Sequence, residues 1–191
     1  MACNVIDARL EPCKEYIGGI QGIFLINFAW NDVIALSTTG TNIGAVETIK
    51  DSAAVLKTGY YWELKGASSF DYTPTSDRNG GTTMYAANLN LNFKPSNNAA
   101  TPMKDFADIN TLLKGRWRIV VWDRNDNFWL MGEKFGCDGT TGAGSWGTGL
   151  GDPRTYAITF SSEEANPPRP LNALTFAGLS TIFTVDSTPA V

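Results

Sequence analysis

The 191 residues include no histidine. That removes the Ser-His-Asp triad, Cys-His nucleophile activation, histidine zinc sites and the commonest general base near neutral pH. Charge is scarce as well. Charged residues make up 18% of the chain, and 15 Lys+Arg against 19 Asp+Glu leave a net charge of -4, a balance that disfavours tight binding to a phosphate backbone. Cys3, Cys13 and Cys137 are odd in number and match no metal-ligand spacing, so free thiols made in a cytosol are expected, with no metal and no cofactor. The N-terminus lacks the basic and apolar regions of a signal peptide. Residues 16–30 are uncharged but short, and Gly18, Gly19, Gln21, Gly22 and Asn27 break the run, which predicts a buried strand rather than membrane insertion. Neither a Walker A nor a nucleophile-elbow sequence occurs. Residues 142–147, GAGSWG, match G-x-G-x-x-G in form, yet Gly149, Gly151 and Pro153 forbid the helix that a dinucleotide site needs, so a flexible loop is expected.

What is present centres on residues 101–133. Thr101 as N-cap and Pro102 as first helical residue open a helix over 101–114, whose apolar stripe is Met103, Phe106, Ile109 and Leu113. Gly115 then supplies a left-handed stop. From Arg116 the period becomes two, with Trp117, Ile119 and Val121 opposing Arg118, Val120 and Trp122. Residues 123–127, DRNDN, suit a turn before Phe128, Trp129, Leu130 and Met131 resume an apolar run, so a hairpin is predicted. Both its faces are apolar. One is expected to meet the helix and the other to meet something more, such as another subunit.

Elsewhere alternation marks strands at 32–36, 60–65, 82–94 and 155–160, and a weaker one within 174–185. In the longest, Leu89, Leu91 and Phe93 oppose Asn88, Asn90 and Asn92, the pattern of one dry and one wet face. Residues 66–81 read as a long polar hairpin arm, partly mobile when unpartnered, and 136–152 as a glycine-rich loop without regular structure. No linker divides the chain. It is expected to be one α+β domain of mainly antiparallel sheet, with an N-terminal segment 1–20 and a C-terminal extension 172–191.

Two side-chain inventories leave enzymatic and binding readings open. Glu63, Asp71, Glu163 and Glu164 are the carboxylates a glycosidase would need, but Glu63 lies beside Lys65, and Glu163-Glu164 follow a strand end where surface charge is ordinary. Trp62, Trp117, Trp122, Trp129 and Trp146 offer a sugar-stacking platform, although alternation within strands favours packing in a core or a subunit interface.

The words WELKGASSF at 62–70, the arm ending at Gly81, the strand from Tyr85 to Phe93, the helix, the hairpin and YAITFSSEE at 156–164 followed by prolines resemble bacteriophage tail tube proteins. The resemblance covers about residues 59–171. It implies a two-sheet sandwich or barrel-like fold with one flanking helix, assembling into stacked, usually hexameric rings. On that reading the arm residues Ser68, Ser69, Phe70, Asp71 and Tyr72 touch a neighbouring subunit. Asn88, Asn90 and Asn92 line a lumen, and Trp62, Trp117, Trp122 and Trp129 pack in cores or interfaces. The implied partners are further copies of the chain, other tail proteins and DNA passing without specific binding, in a virion assembled in the host cytoplasm. No catalysis is implied. The alternatives are a carbohydrate-binding or adhesive β module, another tail or connector ring protein and, more weakly, a carboxylate glycosidase.

Overall fold

The computed structural model describes residues 17–40, 42–65, 67–77, 79–94, 102–173 and 175–188, without the side chains of 102–106. Twelve strands and one α-helix follow one another among these residues. The first half of the chain holds β1 (Ile20–Asn27), β2 (Val33–Leu36), β3 (Val46–Lys50), β4 (Thr58–Glu63), β5 (Ser69–Asp77) and β6 (Thr82–Phe93). Helix α1 (Pro102–Lys114) leads into β7 (Arg116–Asp123), β8 (Phe128–Met131), β9 (Cys137–Ser145) and β10 (Thr155–Glu164). β11 (Arg169–Pro170), a short 3-10 turn at Ala177–Thr181 and β12 (Thr184–Asp186) complete the chain.

Ten strands form one sheet along the path β12-β4-β1-β7-β9-β10-β6-β5, with β8 and β11 branching from β7, while β2 and β3 form a separate ladder. The fold is α+β and mainly antiparallel, as the sequence periodicity implied; the one exception on the main path is the parallel pair β12-β4. β7 and β9 share only Arg116↔Asp138 and Trp117↔Cys137, so the sheet turns a corner there. The halves on either side fold toward each other. Trp62 of β4 and Phe93 of β6, five steps apart on the path, meet at 5.4 Å between ring centroids.

Alternation puts the β1, β4 and β7 side chains into two cores. Ile23, Leu25, Ile119 and Val121 face Leu89, Leu91, Ile158 and Phe160 across the fold, with Leu112 of α1 closing that core. Phe24, Ile26 and Val120 look the other way, onto Val46, Ile49, Leu179, Ile182 and Phe183. Burying a side chain of this size contributes roughly 1.5–3 kcal/mol, which explains why the central strands carry almost no polar residues. The hairpin's second face is therefore covered by the chain's own residues from β3 and 171–185, where another subunit was expected.

Three further expectations change. The glycine-rich segment 136–152 contains a nine-residue strand, β9, paired with β10. Its glycines serve the helix: a Cβ on Gly139 would lie 3.1 Å from the Leu112 carbonyl oxygen, and one on Gly142 2.9 Å from a Leu113 methyl. Gly115 does not take the left-handed conformation. A glycine is needed there because a Cβ would sit 2.3 Å from the Trp117 ring, whose Nε1 donates to the Leu112 carbonyl and closes the helix end. Glu163 and Glu164 lie inside β10 rather than after it. The β3 strand carried no prediction, and the weak strand in 174–185 resolves into the 3-10 turn followed by β12. Thr101, the side chains of Met103 and Phe106, Cys3 and Cys13 lie outside the described residues.

Candidate assembly surface

Beyond the corner, β9, β10, β6 and β5 carry helix α1 on their apolar face and leave the other face bare of the chain's own elements among the described residues. That face is built by register. Asn92 stands opposite Ala157, Asn90 opposite Thr159 and Ser69, and Asn88 opposite Ser161 and Asp71. Thr159 Oγ1 donates to Asn90 Oδ1 at 2.8 Å, and Asn90 Nδ2 donates to Ser69 Oγ at 3.2 Å, a polar ladder across three strands. Asn90 is exposed, Asn88 and Asn92 are half-buried, and Leu89 and Leu91 beneath them are buried. These four strands contain no Lys or Arg, against the acids Asp71, Asp77, Asp138, Glu163 and Glu164.

β5 is the outer strand, and its far edge meets no other strand among the described residues. Of the arm residues, Ser68 is fixed to β6 by accepting from the Asn92 amide at 2.9 Å. Phe70 packs on the core, Ser69 and Asp71 are exposed on the Asn face, and Tyr72 is half exposed beside Tyr85. Pro74 pairs with Tyr85 in an unbroken ladder, so it occupies a position whose missing donor would point away from β6. By the two-residue period the outward donors before it are Phe70 and Tyr72. The open edge is thus concentrated in 69–73.

The tryptophans do not form one platform. Trp62, Trp117 and Trp129 pack against the inner core, the one between the sheet halves that holds Ile23 and Leu89, and Trp122 against the outer one, which holds Phe24 and Phe183, each partly buried. The four acids are also separated. Glu63 pairs with Lys65 at 3.2 Å in solvent, and Asp71 and Glu163 sit on the Asn face. Glu164, next to Glu163 and hence on the opposite face, is buried and accepts from the Lys134 and Phe135 amides at 2.9 and 2.8 Å. Burial pushes its carboxyl up, and those two amides only partly offset the shift. Alternation continued from Ile158 and Phe160 through Ser162 to Glu164 carries the signal that would have placed this acid inside.

Sequence reasoning missed a second buried cluster. Asp32 receives Arg118 Nη1 on one oxygen and lies 3.2 Å from Lys57 Nζ on the other. Arg118 also donates to the Glu133 and Ala29 carbonyls and lies 4.4 Å from the Phe28 ring centre. Burial lowers its affinity for its proton, and Asp32 opposes that shift. These contacts hold the chain between β1 and β2 against β7, an architectural role. The Cys137 thiol is buried, which raises it far above the reactive range. Among the described residues no group of His, Cys, Asp and Glu could hold a metal ion, and no helix is long and apolar enough to cross a membrane. Comparison with protein-family models, with curated proteins and with solved structures finds no match to this chain.

Proposed function

We propose that this chain is a virion structural protein of the bacteriophage tail tube, assembling through its sheet edges into stacked rings that conduct DNA. The observation that carries the proposal is the bare face of β9-β10-β6-β5, polar, built from strands without Lys or Arg, met at its margin by Arg116 of β7 pairing with Asp138 at 3.1 Å, and ending in the open edge of β5. A lumen for DNA needs such a lining. Basic side chains would hold phosphates and stall passage, whereas Asn, Ser and Thr with a few carboxylates present a wet wall with no attraction for the backbone. An open edge is otherwise a liability, and closing the sheet across subunits removes it. Because the ends of the strand path, β5 and β12, differ, pairing one with the other is head to tail, the kind of contact that generates a ring when its rotation closes. The sandwich or barrel-like closure of the family belongs to this proposal.

The test is Tyr72→Pro. It removes one outward donor from β5 while leaving the ladder to β6 intact, as Pro74 already does two residues on. The variant is expected to keep the wild-type melting temperature within a few degrees and to lose ring formation in electron micrographs. Rings formed as readily as by wild type would contradict edge pairing.

A further inference from the structure

Among the chain's asparagines only Asn79 is followed by glycine, and the pair stands at the tip of the β5-β6 hairpin, beyond the last ladder pair Asp77↔Thr82. Asp77 holds the tip in shape. Its Oδ1 accepts from the Asn79 main-chain amide at 2.9 Å, and Gly81 makes the left-handed turn at φ +63°, so neither Asn79 nor Gly80 has to. Gly80 is a glycine for space, since a Cβ there would lie 2.6 Å from Asp77 Oδ2. Asn79, Gly80 and Gly81 are all exposed. The Asn79 carboxamide and the Gly80 amide make no hydrogen bond among the described residues.

That combination removes the obstacles to one intramolecular reaction. The main-chain amide after an asparagine is tethered a few bonds from the side-chain carbonyl carbon, so their encounter needs only rotation about those bonds. What ordinarily stops it is the Cβ of the following residue, which crowds the approach, together with hydrogen bonds that hold either group elsewhere. Other asparagines keep such obstacles. Asn42, Asn125 and Asn127 donate their side-chain nitrogens to Asn172, Ile17 and Asp123 at 2.9, 2.9 and 3.0 Å, and each precedes a residue with a side chain. Asn88, Asn90 and Asn92 lie in the ladders of β6 with Leu or Phe next in the chain.

We infer that Asn79 is a modification site, deamidating spontaneously through a cyclic imide formed with Gly80. The Gly80 nitrogen bonds to Asn79 Cγ, the Cγ–Nδ2 bond breaks, and the proton from the Gly80 nitrogen leaves with Nδ2 as ammonia. Water then opens the ring. Its hydroxyl adds at Cγ to give aspartate, or at the Asn79 main-chain carbonyl carbon to give isoaspartate, and its remaining proton returns to the Gly80 nitrogen. Either product places a new carboxylate two residues from Asp77, and the isoaspartate also inserts a methylene into the main chain of the tip. The reaction needs neither a partner nor assembly, so it stands apart from the tail-tube reading.

Peptide mass spectrometry of the folded protein, sampled over time in mildly alkaline buffer, tests it. The peptide carrying Asn79 is expected to turn from amide to acid at least about tenfold faster than any other asparagine peptide, giving both aspartate and isoaspartate. Its rate is expected to stay within about threefold of that in guanidinium-unfolded protein, because the fold leaves both reacting groups free. Gly80→Val restores a crowding side chain and is expected to slow the reaction about tenfold or more. Measuring this variant and wild type in guanidinium as well keeps the comparison valid should the variant fail to fold. A folded-state rate below about a tenth of the unfolded one would show that the turn protects the site and would overturn the proposal. Aspartate without isoaspartate, an equal rate at another asparagine, or an unchanged rate in Gly80→Val would overturn it too.

Discussion

Glu164 is where a single side chain joins the two halves of the sheet. It stands at the end of β10, and its carboxylate holds the amides of Lys134 and Phe135 in the β8-β9 connection. Its carboxyl is raised by burial above the usual glutamate value of 4.5. The sign follows from linkage. A raised folded-state value means that the folded protein binds this proton more tightly than the unfolded chain does, so the stabilisation is complete below the unfolded value and is lost as pH rises through the folded one. Glu164→Gln, which keeps an acceptor oxygen for both amides, is expected to flatten this part of the stability-pH profile above about 4.5. Glu164→Ala is expected to cost roughly 1 kcal/mol at neutral pH by removing the acceptor of two part-buried amides. Urea titrations of the three proteins at several pH values check both; parallel profiles for wild type and Glu164→Gln would contradict the burial argument.

At the level of elements, legibility followed side-chain periodicity. β6 was readable because Leu89 and Leu91 alternate with asparagines, and β7 because both of its faces are apolar. β9 was not. Its sequence CDGTTGAGS has no apolar alternation, since what packs against helix α1 there is the space left by missing side chains at Gly139 and Gly142. Gly115 shows the same effect with the opposite sign to helix propensity. Gly→Ala near a helix end usually gains up to about 1 kcal/mol, but a Cβ at 115 meets the Trp117 ring at 2.3 Å. Gly115→Ala is therefore expected to destabilise by roughly 1–3 kcal/mol through overpacking. A rise in denaturation midpoint would show that the ring moves aside freely. The cover on the outer core was also hidden, because Leu171, Phe176, Leu179 and Phe183 come from a turn-rich stretch with no single period. The bare Asn face, by contrast, was legible in full, as three asparagines at period two need only the strand assignment to share a side.

For the whole molecule, the two apolar faces of the central strands are satisfied within one chain, so what remains for partners among the described residues is the β5 edge and the Asn face. Those surfaces differ in kind. The edge offers backbone donors, and the Asn face offers neutral polarity with a few carboxylates. On the proposed tail-tube reading the edge supplies lateral contacts and the Asn face a solvated wall, two requirements of a conduit built from repeated copies. The mass and shape of the purified protein test this most directly. Sedimentation and electron microscopy over a range of concentrations are expected to show closed rings at a fixed multiple of 20.7 kDa, each with a central channel, and tubes as concentration rises. A 20.7 kDa monomer at every concentration would contradict the account.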